Sequence, residues 1–139
     1  MAKNSSEYSE FQMPYSYNYA IKNKIKGKFM QLYGLKACDS CRKARKALQN
    51  QQVDYIDVRE GQVPDAVLEA ALVKFGDALL NCASTTWRGL DESARSGEPL
   101  VLLKAHPTLM KRPLIVHDGE MTLGWKPDVA AHYAALLGA

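Results

Sequence analysis

Two cysteines three positions apart, Cys38 and Cys41, are the residues of this 139-residue chain whose type and spacing best suit chemistry. They follow an apolar stretch typical of a strand and stand where a helical period begins. The free N–H groups of a first helical turn and the positive end of the helix dipole favour a thiolate, the form of cysteine that attacks disulfides. We therefore expect Cys38 to be a nucleophile with a lowered pKa and Cys41 to be the thiol that resolves a mixed disulfide.

Two other interpretations of the pair stay open. It could be half of a zinc site, but we expect no metal because the other thiol and the imidazoles show no metal-ligand spacing. These are Cys82, His106, His117 and His132. The pair could also be inert, with Cys41 a small core residue. Separately, Cys82 lies six positions before Arg88, the spacing of a phosphatase loop, but the glycines that such a loop needs are missing.

The flanking sequence predicts the elements that position the cysteines. Apolar alternation predicts strands over residues 30–34 and 53–58, and a helical period covers 41–51 between them. One face of that helix is expected to be buried and carries Cys41, Ala44, Ala47, Leu48 and Gln51. A strand, a helix and a strand in so short a span predict a βαβ unit with parallel strands.

The remaining pattern completes a recognisable order. Pro64 and Gly76 are expected to begin and end a helix, and a polar loop over 81–89 follows. Further predicted elements are short helices near 91–96 and 99–106, a hairpin of strands 113–117 and 120–124 around Asp118-Gly119, and a helix over 127–137. The order β-α-β, helical insertion, β-β-α predicts an α/β domain of the thioredoxin-like fold, with a mixed sheet flanked by helices.

Charge divides the chain into two parts. Residues 1–29 contain five of the 18 basic residues and two of the 15 acidic ones, so the formal net charge of +3 resides there and the rest is balanced. We interpret residues 1–29 as a disordered or non-native extension and residues 30–139 as the domain. Because nucleic-acid binding needs clustered basic charge, we expect no direct nucleic-acid contact from the domain.

Composition and cysteine usage indicate where the chain works. Hydrophobic residues make up 47% and charged residues 24%, which is typical of a globular domain rather than a disordered one. We expect no membrane span, since no apolar run of about 18 residues exists. The N-terminus lacks a secretory pattern, and three cysteines do not suit a disulfide framework. These features predict a cytoplasmic protein, which we expect to be monomeric.

Basic residues near the predicted site form a second pattern. Arg42 follows the cysteine pair directly and is expected to touch the nucleophile. Arg112 precedes Pro113, and in thioredoxin-like folds a proline at the start of this strand is usually cis and packs beside the active cysteine. Together with Arg88 and Lys126, Arg112 would form a cationic rim that binds an anion or a carboxylate-bearing thiol such as glutathione.

Four segments resemble the arsenate reductase ArsC / Spx / MgsR family, most closely its YffB-like bacterial branch. They occur in the family's order between about residue 30 and the C-terminus. The segments are YGLKACDSCRKA (33–44), LLN (79–81) with TTWR (85–88), KRPL (111–114) and GWKP (124–127). The resemblance implies a thioredoxin-like core with a helical insertion, as the element order also predicts.

The resemblance also implies roles for the site. In the glutathione- and glutaredoxin-coupled arsenate reductases, the cysteine matching Cys38 attacks arsenate, and three basic residues hold the anion. These match Arg88, Arg112 and Lys126, where lysine keeps the charge but lacks the bidentate fork of arginine. Residues 34–36 read Gly-Leu-Lys where those reductases carry His-Asn-Pro.

Three functions compete on these grounds. The preferred prediction is a thiol–disulfide oxidoreductase that uses glutathione as co-substrate and no bound cofactor, as the YffB-like branch suggests. The second is an arsenate reductase coupled to glutathione and glutaredoxin. The third is a redox-sensing regulator of the Spx type, which binds the C-terminal domain of the RNA polymerase α subunit without turnover.

Overall fold

A computed structural model describes residues 30–137 of the chain and shows a four-stranded sheet with the order β2-β1-β3-β4. The predicted extension, residues 1–29, lies outside the described residues. The strands are β1 (Met30–Gly34), β2 (Val53–Asp57), β3 (Leu114–His117) and β4 (Glu120–Leu123). The helices are α1 (Asp39–Ala47), α2 (Asp65–Phe75), α3 (Thr85–Arg88), α4 (Glu92–Arg95), α5 (Pro99–Ala105) and α6 (Pro127–Leu137). Two 3₁₀ helices cover Gly76–Leu79 and Pro107–Leu109.

The sheet is mixed, as the element order predicts. Strand β1 runs parallel to β2, with Met30 opposite Val53, and antiparallel to β3, with Met30 opposite His117. Strands β3 and β4 form the antiparallel hairpin. Both turn residues have positive φ, 52° at Asp118 and 85° at Gly119, which is the backbone that a two-residue hairpin loop with the right twist requires.

Apolar side chains leave the sheet on both faces because successive residues of a strand point in opposite directions. On one face, Met30, Leu32 and Ile115 pack with residues of α1 and α6. On the other, Tyr33 and Leu114 belong to a larger cluster that includes residues of α2 and α5. Helices therefore cover both faces, and the α/β thioredoxin-like fold expected from the sequence is confirmed.

Local differences from the predicted elements follow from helix capping and helix phase. Helix α1 begins at Asp39, two residues before the predicted start, because Cys38 has extended backbone and takes the N-cap position. Ala47 is exposed, whereas Cys41, Ala44 and Leu48 are buried, so the buried face is narrower than predicted.

The polar segment predicted as a loop over 81–89 contains the one-turn helix α3. Its N-cap is Ser84, whose side chain accepts a hydrogen bond from the backbone N–H of Trp87 at 3.1 Å. The loop prediction was therefore wrong for residues 85–88, since the capping serine stabilises one turn of helix in a segment without an apolar period.

Candidate active site

Cys38 stands at the junction between strand β1 and helix α1. Its backbone is extended, with φ −85° and ψ 125°, and its carbonyl accepts the N–H of Arg42 at 2.9 Å as the first bond of the helix. Cys38 is half-buried, while Cys41, one turn along, has no exposed surface. The fold thus presents one thiol at a cleft and keeps the other inside, next to it.

The end of β1 holds the buried thiol in place. The backbone N–H of Leu35 donates to Sγ of Cys41 at 3.4 Å. Gly34 leaves the space that this sulfur occupies, since a Cβ atom at position 34 would lie 2.5 Å from Sγ of Cys41. A glycine is therefore required here by a close approach between strand and thiol, not by a special backbone angle.

The two thiols have pKa values shifted in opposite directions. Burial raises the pKa of Cys38, but hydrogen bonds from the backbone and thiol of Cys41, with the charge and hydrogen bond of Arg112, outweigh burial and hold it below the ordinary value. Burial raises the pKa of Cys41 to about 12, and the thiolate of Cys38 adds to that rise. Cys38 is therefore the more acidic thiol of the pair, and Cys41 is a thiol that donates a hydrogen bond to it.

Arg112 reaches Cys38 from a part of the chain that is remote in sequence. Its Nη1 donates to the carbonyl oxygens of Thr108 at 2.6 Å and Met110 at 2.8 Å, so the guanidinium is held by backbone. The peptide bond between Arg112 and Pro113 is cis, and Pro113 is buried at the start of β3, where its carbonyl accepts the N–H of Gly124 at 2.9 Å.

A cleft of about 420 Å³ opens in front of Cys38. Arg112 and Lys126 line it together with Cys38, as the sequence predicts. The other lining residues come from α1, the first 3₁₀ helix, the loop before α3, the segment before Pro113, the end of β4 with the loop after it, and the start of α6: Ser40, Ala78, Asn81, Lys111, Leu123, Gly124, Trp125, Asp128 and Val129. Its volume falls within the range of about 300–1,000 Å³ usual for small-molecule sites.

Arg42 and Arg88, both expected at the site, do not line this cleft. The guanidinium of Arg42 pairs with the carboxylate of Asp39 on the exposed side of α1. Arg88 is exposed on α3, and its Nη1 donates to the carbonyl of Ala83 at 2.6 Å. Neither arginine is among the causes of the lowered Cys38 pKa, which come from Cys41 first and from Arg112 second.

Asp57 is a residue of the site that sequence reasoning missed. It ends β2 with only 8% of its surface exposed. One carboxylate oxygen accepts the backbone N–H of Lys36 at 3.1 Å, and the other accepts that of Arg59 at 2.9 Å. Asp57 therefore ties the loop that leads to Cys38 to the sheet. The sequence does contain one signal for Asp57. It is spaced by two and four residues from Tyr55 and Val53 in β2, so its side chain lies on the same side of the strand as these two hydrophobic residues.

The alternative interpretations of the cysteines concern a metal site and a nucleophile at Cys82. Within that range, no group of three or more histidine, cysteine, aspartate or glutamate side chains could hold a metal ion. Cys82 is exposed and free, and it does not line the cleft.

No helix in the described range is long and apolar enough to cross a membrane.

Comparison with known proteins identifies the family. Residues 33–132 match the family model described as ArsC family. The chain belongs to the ArsC family. An uncharacterized protein of Haemophilus influenzae is 38% identical to it over 101 residues, which cover 68% of this chain and 89% of that protein.

Two solved structures have the same fold as this chain. The structure of a protein named YffB is 34% identical, covers 78% of this chain and 98% of its own, and superposes with a TM-score of 0.69. An arsenate reductase (ArsC) related protein from Brucella melitensis is 30% identical, with coverage of 82% and 98% and a TM-score of 0.58. Membership of the ArsC family supports a thiol-based redox role with a small oxyanion or thiol substrate.

Proposed function

We propose that this ArsC-family chain is a thiol–disulfide oxidoreductase that uses glutathione as co-substrate and needs no bound cofactor. The observation that carries the proposal is the pair of opposite pKa shifts in one helical turn. Cys38 has a lowered pKa and lines a cleft, whereas Cys41 has a raised pKa and is buried behind it. A half-buried thiol of lowered pKa at a cleft, with a buried protonated thiol behind it, is an arrangement that suits disulfide exchange.

The reaction begins with attack on a mixed disulfide between glutathione and a second thiol. The Cys38 thiolate bonds to the glutathione sulfur and breaks the S–S bond, and the second thiol leaves as a thiolate that takes a proton from water. The product is a disulfide between Cys38 and glutathione. Its formation removes the negative charge that helped to raise the pKa of Cys41, so that thiol becomes a better nucleophile.

Cys41 then attacks the sulfur of Cys38 and releases glutathione, which takes the proton that Cys41 loses. The Cys38–Cys41 disulfide that results is reduced by two further glutathione molecules, which leave as glutathione disulfide. Two electrons therefore pass from glutathione to the substrate in each cycle. Burial remains the largest cause of the raised Cys41 pKa, so we expect this resolving step to be slower than the first attack.

The charges of the cleft support glutathione over a bare oxyanion. Three basic residues line it, Lys111, Arg112 and Lys126, and carboxylates of glutathione would be attracted to them. An arsenate ion would need several donors converging on one point. Arg88 lies outside the cleft, and the ammonium group of Lys126 cannot form the bidentate contact that a guanidinium makes with an oxyanion. Nη1 of Arg112 already donates to two carbonyls. Arsenate reduction is therefore the second candidate, and the Spx-type regulator stays a prediction from resemblance.

A mass measurement tests the proposal directly. The fully reduced protein is exposed briefly to glutathione disulfide, and the mass change is located by peptide mapping. We expect a glutathione adduct on Cys38, or loss of two hydrogens where Cys41 has closed the internal disulfide. The Cys41→Ser variant should retain the adduct, and the Cys38→Ser variant should form neither product. Cys82→Ser, which removes the exposed thiol outside the cleft, is the matched control and should behave as the parent protein.

Turnover separates the enzyme candidates. The mixed disulfide of glutathione and 2-mercaptoethanol serves as substrate with glutathione as reductant, and arsenate with glutathione and glutaredoxin is assayed in parallel. Disulfide reduction that depends on Cys38 supports the proposal. An unchanged mass together with no disulfide turnover would overturn it. Formation of arsenite without disulfide turnover would show that the protein is an arsenate reductase instead.

A further inference from the structure

Opposite charges share the cleft in front of Cys38. Lys111, Arg112 and Lys126 are basic, and Asp128 is the single acidic residue of the lining. Arg112 is held by two backbone carbonyls. The side chains of the other three make no ion pair or hydrogen bond with any residue of the described range 30–137. Two cationic groups and one anionic group are thus available to a ligand.

Asp128 has two electrostatic effects, one on helix α6 and one on a ligand in the cleft. It lies in the first turn of α6, where a negative side chain stabilises the helix through the helix dipole. That benefit would be the same if the carboxylate faced away from the cleft. As a lining residue, Asp128 also weakens the attraction of the cleft for a purely anionic ligand. A ligand that carries an ammonium group next to its carboxylates avoids this penalty and gains a partner.

We propose that Asp128 binds the ammonium group of a zwitterionic thiol substrate, while Lys111 and Lys126 bind its carboxylates. Asp128 is then a specificity-determining residue that selects an α-amino-acid head group, such as the γ-glutamyl end of glutathione, against simple oxyanions. The inference rests on the proposed function and goes further by naming the part of the substrate that is recognised and the residue that recognises it.

A deaminated substrate tests this role. The parent protein and Asp128→Asn are compared on two mixed disulfides of 2-mercaptoethanol, one with glutathione and one with glutaryl-Cys-Gly, which lacks only the amino group. Glutathione is the reductant, and the release of 2-mercaptoethanol is measured. Because an exposed ion pair contributes little, we expect the parent protein to prefer the glutathione mixed disulfide by up to about fivefold in kcat/KM. Asp128→Asn should reduce that ratio to near one, mainly through KM, and should strengthen inhibition by arsenate, which has no cationic group.

Asp65→Asn is the matched control, since Asp65 is an exposed first-turn aspartate of α2 that lies outside the cleft. This variant should keep the preference of the parent protein. If the parent protein turns over both disulfides equally well, or if Asp128→Asn keeps the preference, the inference is wrong while the proposed function stands. If Cys38 reacts with neither disulfide, the proposed function itself fails, so the two failures are distinguishable.

Discussion

Replacing Gly34 with alanine should destabilise the reduced protein by displacing the thiol of Cys41. The new Cβ would lie 2.5 Å from Sγ of Cys41 and 3.3 Å from its Cβ. Neither residue 34 nor Sγ of Cys41 can move freely, because Gly34 lies in strand β1 and the sulfur accepts the N–H of Leu35. The sulfur must therefore move away from that N–H, or the strand must move away from α1.

The magnitude follows from two opposing effects. Forcing extra atoms into a packed core costs about 1–3 kcal/mol. Replacing glycine by alanine at a compatible backbone angle returns about 0.4–1 kcal/mol by restricting the unfolded chain, and Gly34 has no positive φ that would prevent this. We expect the free energy of unfolding to fall by roughly 1–2 kcal/mol.

A double-mutant cycle with Cys41→Ala isolates the contact. In that background the sulfur is absent, and the new Cβ keeps two looser contacts, with Cδ2 of Leu32 at 3.2 Å and with the Cβ of residue 41 at 3.3 Å. Gly34→Ala should then be close to neutral, so the coupling energy should be roughly 1–2 kcal/mol. Urea unfolding under reducing conditions, followed by tryptophan fluorescence, measures all four proteins. An equal cost of Gly34→Ala in both backgrounds would refute the steric reasoning.

Two further predictions concern the groups that set the reactivity and position of Cys38. Arg112→Gln should raise the pKa of Cys38, because it removes a positive charge and a hydrogen bond that lower it. The midpoint of iodoacetamide alkylation against pH should move up toward the free-thiol value of about 8.5, with a slower reaction at pH 7, and an unmoved midpoint would contradict the assignment. Asp57→Asn should destabilise the protein by about 1–3 kcal/mol in urea unfolding, since asparagine keeps one acceptor oxygen but places an NH2 group against the other backbone N–H, which loses its acceptor. The exposed neighbour Glu60, changed to glutamine, should cost less than about 0.5 kcal/mol, and equal effects of the two changes would count against a role for Asp57.

Local pattern was sufficient for most of the fold. Alternation located the strands, and the order of strands and helices predicted the mixed sheet that the structure shows. The pattern did not predict the start of α1 or the existence of α3, because each depends on an N-cap residue, Cys38 for α1 and Ser84 for α3. Caps are set by the backbone angle of one residue, which the spacing of apolar side chains does not report.

The candidate site was predicted in part. Cys38, Arg112 and Lys126 share a cleft, but Arg42 pairs with Asp39 three positions earlier, a geometry that any exposed helix face permits. Asp57 was missed because its two partners are backbone N–H groups, which sequence does not distinguish.

The residues alone were sufficient to predict the pair of cysteines beside a helix start, the family, and the order of the strands and the longer helices. Folding determines which charges meet at Cys38 and why two thiols one turn apart differ in pKa, because burial and Coulomb interactions act through space and weaken with distance. Arg112 acts on Cys38 only because folding sets β3 beside β1, and Asp128 reaches the same cleft only because α6 begins there.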